Sequence, residues 1–495
     1  MTPLSRRDWL AGALGGGAAV TSAKAQPPEI PVLGDSAQLF VDYDRVESLE
    51  GITRTFHSAE KHPANPVLRR QHPWESARGT WGSVIFDAEE RVFKAWYGGT
   101  SGRDVSGCSG PNCRSNSVLC YATSQDGVVW HRPRLGLHEA AGTRANNVVV
   151  GDDYRDGMAH WESVLKDPLE KDPLRRYKAL GWSSYDWDGP QSGIFTMTSP
   201  DGLKWTHSPD PVFRYHPRPG TPDLGPVGDA QAMMIDPLRK RYVAYLRRIP
   251  NRAMSVSEDF VHWTPPRECL LAEDGEMANT IYNHVGFLYG DRYLGFLTYF
   301  KRDLKDPRLT LHLLTSRDGE RWQRPRTDRP LIGSGDVGDP DRFTIMLTGA
   351  PPIAAGDRLY IYYRALANRH SPYSGGDTAM ENGGICLATL RRDGFASLAA
   401  GYEGGTVTTR PFRLKNQSEL HINGKADFGQ ITAELLDEKR TVITGFSQAE
   451  AVAARADRID QPLRWHGSSL ESLHSRPIRL RFHLKNARLY SFRFV

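Results

Sequence analysis

The sequence predicts an all-β protein: a five-bladed β-propeller over residues 37–398, followed by a C-terminal β-sandwich over residues 401–495. Three observations predict it. A short phrase recurs along the first four-fifths of the chain, strand–turn–strand hairpins alternate with it, and beyond Leu398 the phrase stops while apolar alternation continues.

The phrase reads Ser-x-Asp-Gly-x-x-Trp at Ser124–Trp130, Ser199–Trp205 and Ser316–Trp322. A variant at Ser257–Trp263 carries Phe260 in place of the glycine. Each copy ends a β-rich run. Asp-Gly after a strand signals a tight turn, because glycine takes positive φ without a Cβ clash, and the tryptophan can start the returning strand. Intervals of roughly 60–75 residues mark a repeat architecture.

The hairpins are Val84–Tyr97, Val164–Trp182, Met233–Tyr245, Val285–Tyr299 and Ile345–Arg364. The first four turn through Asp87, Asp172, Asp236 and Gly290-Asp291, and the fifth through Gly356-Asp357. Each precedes one copy of the phrase, the fifth a degenerate one at Leu390–Gly394. Two hairpins per repeat make a four-stranded antiparallel sheet, and five sheets in series make a five-bladed propeller. The competing reading is a β-sandwich with coincidental turns, and the paired periodicity argues against it.

Composition sets the frame. Charged residues are 24% and aromatics 10%, which is globular and excludes long disorder. The formal charge is +5, with Lys and Arg scattered along the chain, so no nucleic-acid partner is expected. Five cysteines exclude full pairing within one chain. Cys108 and Cys113 could close a small loop in an oxidising compartment, while Cys269 and Cys386 read as buried thiols.

Taken in order, residues 1–25 read as an export address. Ser5-Arg6-Arg7-Asp8-Trp9-Leu10 resembles a twin-arginine signal, an apolar stretch follows, and Ala23-Lys24-Ala25 matches a small-x-small cleavage site. A periplasmic or secreted protein follows, with no membrane association after cleavage. The run 37–45 is expected as an early strand that closes the ring against the last blade. After Leu398, the runs Thr406–Leu414, Gln430–Leu436, Ile478–Leu484 and Leu489–Phe494 alternate with the period of half-buried strands. This module reads as structural support, with sugar binding as its alternative.

In a propeller the inner strand of every blade begins near the axis, so residues at these starts converge on one pocket. The loop before blade one offers Glu75, Arg78 and Trp81. Blade two offers His160, Trp161 and Glu162, and blade three Asp229 and Gln231. Blade four offers Glu276, Tyr282 and His284, and blade five Asp341 and Arg342. Carboxylates among aromatic, imidazole and guanidinium groups are the equipment of a carbohydrate site. Glycosidic cleavage needs one acid to protonate the leaving oxygen and a second carboxylate to attack or to activate water. Glu162, Asp229 and Glu276 are the catalytic candidates, and the other ten residues bind substrate. The partner is a carbohydrate. No cofactor is required, and the acidic Asp336–Asp341 loop is a candidate for structural calcium.

The blade turns and the propeller-plus-sandwich layout resemble the five-bladed glycoside hydrolases, a superfamily that includes the invertase/levanase family 32 and the arabinanase/xylosidase family 43. The resemblance implies three acidic residues at the inner strands of the first three blades. Carried over by position, the second and third are Glu162 and Asp229, and only Glu75 lies near the first. The invertase motif Trp-x-Asn-Asp-Pro-Asn-Gly is absent, and Lys171-Asp172-Pro173 and Glu268-Cys269 match family pairs only out of place. A divergent glycosidase is therefore expected. The alternatives are a non-catalytic carbohydrate-binding propeller and a sialidase-like hydrolase, the latter disfavoured by five blades rather than six.

Overall fold

The computed structural model describes residues 30–75, 82–104, 116–152, 160–183, 192–214, 227–228, 230–278, 280–303, 305–327, 329–370, 383–474 and 476–495, with backbone only at 160–162. Among them the chain is all-β apart from two short 3-10 turns, Pro173–Arg175 and Leu470–Leu473.

Five antiparallel units follow one another. Unit I runs Gly82–Asp87, Val92–Thr100, Ser117–Ser124 and Val148–Val150 in consecutive pairing. Unit II is His160–Lys166, Tyr177–Ser183 and Gly193–Ser199, edged by Thr206–His207 and Phe213–Arg214. Unit III is Ala232–Asp236, Arg241–Arg248, Asn251–Ser257 and Arg267–Leu270. Unit IV is Ile281–Tyr289, Arg292–Lys301 and Arg308–Ser316, with outer bridges at Gln323 and Ile332. Unit V is Thr344–Leu347, Arg358–Leu366 and Gly384–Arg391. The middle strands are buried on both faces; Tyr177–Ser183 is buried at every position. Each unit lies between two others, so side chains on both faces leave water.

The first strands of the units meet. Val164 N donates to Ser83 Oγ at 2.7 Å and Met233 N to Ser163 Oγ at 3.1 Å, while Leu347 N donates to Thr298 Oγ1 on unit IV's second strand at 3.1 Å. Gly349 N donates to Gly82 O at 3.0 Å, which joins unit V to unit I. The units therefore close a ring. The strand expected over 37–45 does not close it. Glu60–Lys61 and Leu68–Arg69 pair with Gly384–Arg391 instead, while Gln38–Leu39 pairs with Ala487–Phe494.

The turn between each unit's first and second strands also binds the next unit. Asp87 of unit I accepts from Tyr177 Oη of unit II at 2.7 Å, and Asp167 from Tyr242 Oη of unit III. Asp236 accepts from Tyr293 Oη of unit IV at 2.9 Å. Asp87 is further held by Lys94 at 2.9 Å and Lys166 at 2.7 Å. Burial works to raise its pKa, but these three partners hold it well below the usual carboxylate range.

The recurring phrase folds alike in all four copies. In the first, Gly127 N donates to Ser124 Oγ, and Val128 N and Val129 N both donate to Asp126 Oδ1 at 2.8 Å. Gly127, Gly202 and Gly319 take φ of +76°, +75° and +68°, and Phe260 takes +65°. The glycine also locks the ring. Gly202 O accepts from Trp96 Nε1 of unit I at 2.7 Å, and Gly127 O from Tyr362 Oη of unit V at 2.7 Å. A Cβ on Gly202 would lie 2.6 Å from Trp96. Phe260 tolerates the same backbone because its ring is buried against Tyr242 and Trp263.

Residues 396–495 and the segment 38–56 build two further antiparallel sheets. One orders Asp457–Leu463, Leu420–Lys425, Ala487–Phe494, Ala396–Ala400 and Thr53–Phe56; the other Val46–Glu50, Gly405–Thr409, Arg479–Lys485 and Gln430–Leu436. Leu398, Val407, Ile422, Ile431, Phe482 and Phe492 share their apolar core. The strand Asp457–Leu463 escapes a sequence reading because it is an exposed edge containing Pro462. The degenerate turn docks this module on the ring: Asp393, at φ +61°, accepts from Tyr289 Oη at 2.8 Å and from Ser491 Oγ at 2.6 Å.

Candidate active site

All five inner strands run the same way, so their starts lie at one end of the ring, the mouth. The ends of the second strands and the starts of the third strands lie there too. The acidic turns and the recurring phrase lie at the opposite end, the floor.

At the mouth, Glu162 sits between the pairs Trp161↔Gly181 and Ser163↔Leu180, the extra residue of a β-bulge. Tyr282 occupies a similar break between Ile281↔Tyr299 and Asn283↔Thr298. Bulges interrupt pairing and re-aim a side chain, and they gather near active sites. His160 and Trp161 precede the first bulge on the same strand. Arg78, Trp81 and Asp229 lie outside the described residues.

Tyr282 is 4% exposed. Its hydroxyl meets His370 Nε2 at 3.1 Å, and Arg247 lies over its ring at 4.6 Å. Arg252, wholly buried, donates to Tyr282 O at 2.9 Å and to Ala230 O at 2.6 Å. It also reaches Asn283 Oδ1 at 3.3 Å. Arg252 thus ties the start of unit III's inner strand to that of unit IV. Nothing in the sequence singled it out, since an arginine in a strand that also carries Asn251, Ser255 and Ser257 looks like a surface residue. Gln231, beside Ala230, is fully buried.

Two acidic candidates belong elsewhere, and they do the same thing. Glu75 accepts from Tyr97 Oη at 2.6 Å, from Arg132 Nε, and from the amides of Gln71 and His72. Glu276 accepts from Arg324 Nη1 at 2.7 Å, Arg324 Nη2 at 3.1 Å and the amide of Glu273 at 2.8 Å, with Tyr299 as a further partner. In both cases a glutamate before the inner strand is gripped by a second-strand tyrosine and by an arginine two residues beyond the phrase's tryptophan. Trp130-His131-Arg132 and Trp322-Gln323-Arg324 supply that arginine from the outer edge of units I and IV. Burial works to raise the Glu276 pKa, but Arg324 holds it down. Held down in a two-pronged pair with Arg324, Glu276 is poorly suited to act as a general acid. The repeated Trp-x-Arg was the sequence signal for this anchor.

Two further candidates also face away from the mouth. His284 is wholly buried between Tyr245 and Trp322, 4.3 and 5.7 Å between ring centroids, and burial with Arg252 nearby keeps it neutral. Side-chain alternation turns it into the seam between units III and IV. Asp341 is 2% exposed and accepts from Tyr363 Oη at 2.8 Å and Lys61 Nζ at 2.7 Å. Arg342, one residue on, is half-buried with its guanidinium 4.7 Å over the Phe343 ring.

In the acidic loop, Asp339 Oδ2 accepts from the Asp336 amide at 2.8 Å. No three His, Cys, Asp or Glu side chains gather as a metal site among the described residues. Cys120, Cys269 and Cys386 are buried and free, and burial pushes the Cys269 thiol up to about 12. Cys108 and Cys113 lie outside the described residues.

The scattered arginines of the sequence gather in space. Arg247 ends a second strand, Arg308 starts a third, and Arg302, Arg342 and Arg369 stand just outside strands at the same end. With Tyr282, Phe300, Phe343 and His370 they make the mouth aromatic and cationic over units III to V.

No family model and no curated protein matches the chain. Among solved structures, a glycosyl hydrolase from Bacteroides ovatus aligns with a TM-score of 0.47 at 14% identity, over 68% of this chain and 94% of its own. A second comes from the GH130 family of mannoside phosphorylases, described as containing glycoside hydrolases that target beta-1,2 mannosidic linkages in Candida mannan. It aligns at 0.45 and 15% identity, over 68% and 94%. An N-acetylgalactosamine deacetylase from F. plautii, in complex with blood group B trisaccharide, aligns at 0.40 and 16% identity, over 74% and 95%.

Proposed function

We propose that this protein is an exported glycoside hydrolase, its ring a five-bladed β-propeller with a β-sandwich on the flank. Glu162 and Asp229 act as the carboxylate pair at the mouth. The observation that carries this reading is the bulge at Glu162. It breaks the pairing of unit II's inner strand at the end where the aromatic and cationic side chains of units III to V also converge. One carboxylic acid protonates the leaving glycosidic oxygen, and the other carboxylate attacks the sugar or activates water. Arg252 is a positioning residue, because it holds the carbonyl of Ala230, the neighbour of Asp229. Tyr282 and Arg342, with His160, Trp161, Arg78 and Trp81, line the substrate path, and the buried Gln231 packs beneath it. Glu75, Glu276, His284 and Asp341 serve the scaffold. Residues 1–25 direct export.

The test is turnover by purified Glu162→Gln and Asp229→Asn on a panel of polysaccharides and aryl glycosides that the wild-type protein hydrolyses. Full activity in both variants overturns the assignment. Binding without hydrolysis by the wild-type protein would instead make it a non-catalytic carbohydrate-binding propeller.

A further inference from the structure

We propose that the mouth recognises an acidic sugar, one carrying a carboxylate or a sulfate ester, through Arg342 and Arg302. The proposal deepens the carbohydrate reading above and rests on it.

Three guanidinium groups surround one ring. Arg342, Arg369 and Arg308 lie 4.7, 5.0 and 5.4 Å from the centroid of Phe343, itself 7% exposed. Arg302 lies 5.8 Å over Phe300. Guanidinium groups over these rings gain from the ring quadrupole, and Arg308 is offset by Asp306, which leaves the charges of Arg342 and Arg302 to be accounted for.

Among the described residues, three carboxylates close in sequence to these arginines are engaged elsewhere. Asp306 takes Arg308 Nε through both oxygens, at 2.8 and 2.9 Å. Asp303 accepts from the Lys305 amide and faces Lys301 at 3.6 Å. Asp341 is turned to Lys61 and Tyr363. Arg342 and Arg302 thus have no carboxylate partner among the described residues, and Arg302 donates to the carbonyl of Ala278. Comparable half-buried arginines elsewhere do have one: Arg132 meets Glu75, Arg292 meets Asp42 and Asp291, and Arg324 meets Glu276. Two guanidinium forks with no carboxylate partner among the described residues, at the rim of an aromatic mouth, fit a planar carboxylate or a sulfate, which accept such forks in parallel.

The experiment is calorimetric titration of the full chain with paired oligosaccharides: galacturonate-, glucuronate- and mannuronate-containing forms against their carboxyl-reduced partners, and sulfated galactans against desulfated ones. At least one acidic member is expected to bind about tenfold or more tightly than its neutral partner. That advantage should shrink at high salt and fall about tenfold in Arg342→Gln and in Arg302→Gln. Whether the uronate or the sulfate arm responds identifies the acid. Equal binding within every pair, or an acidic preference untouched by both substitutions, overturns the proposal. If only neutral members bind, the carbohydrate reading stands and this one falls; if no saccharide binds, the carbohydrate reading itself fails.

Discussion

The two ends of the ring are built from opposite charge logic. At the floor the buried acids are matched: Asp87 meets two lysines and a tyrosine, and Asp236 meets Arg239, Arg241 and Tyr293. At the mouth Arg342 and Arg302 stand over aromatic rings with no carboxylate partner among the described residues. A matched, buried network serves a fold, because a lost partner leaves a charge stranded in low dielectric. On the proposal above, the guanidinium groups of Arg342 and Arg302 serve a ligand. The difference separates residues that hold the ring together from those that work in it, and the two classes should respond differently to substitution.

The largest effect belongs at the mouth. Glu162→Gln and Asp229→Asn should each lower kcat by about 10²–10⁴-fold, with urea unfolding midpoints unchanged. A stability loss as large as the activity loss would erase the distinction between the ends. At the floor the reverse holds. Asp87→Ala takes the buried acid from Lys94, whose side chain is 3% exposed, and leaves it the exposed Glu90 and the Tyr177 hydroxyl; the cost should be about 3–5 kcal/mol, read from urea unfolding, while kcat of the folded fraction persists.

Smaller effects sharpen the same contrast. Gly202→Ala places a left-handed residue against Trp96 and should cost about 1–3 kcal/mol. Gly136→Ala, at φ +70° with open space around its Cβ, should cost only about 1 kcal/mol; equal costs would show that backbone strain alone, not the lock between units, matters. Glu75→Gln and Glu276→Gln each weaken an anchor of one design and should lose about 1–3 kcal/mol with turnover kept within a few-fold. A collapse of kcat in Glu276→Gln alone would return that residue to the catalytic set.

The least effect is a pH slope. The Asp87 pKa is lower in the folded chain than its ordinary 3.8. Its contribution is therefore complete above that value and drains away as pH falls through the folded pKa. Asp87→Asn should flatten the acid limb of the stability curve, measured by urea unfolding in steps of pH.

The floor was legible in the sequence, the mouth only in part. Turns and hairpins are local: Ser-x-Asp-Gly and period-2 alternation announce themselves within seven residues. The number of units and the starts of their inner strands followed from that ruler. What a residue faces at a strand start does not. Glu75, Glu276 and Glu162 look alike in sequence, each a glutamate near a strand, yet the first two are gripped by outer-edge arginines some fifty residues away. His284 differs from a mouth residue only by the side to which alternation turns it. The arginine excess was invisible because Arg302, Arg308, Arg342 and Arg369 come from separate connections that the topology alone brings together.

The pairing of Gln38–Leu39 and Thr53–Phe56 with strands beyond residue 395, and of Glu60–Lys61 with Gly384–Arg391, has a consequence for how the molecule is made. The earliest strands of the chain have no partner until the last hundred residues exist. Contacts of such sequence separation fold slowly, because long loops must close before they are rewarded. The ring's own strands are all present once residue 391 exists, whereas the opening segment 38–56 must wait for the strands beyond 395, so a cut at residue 400 would orphan that segment.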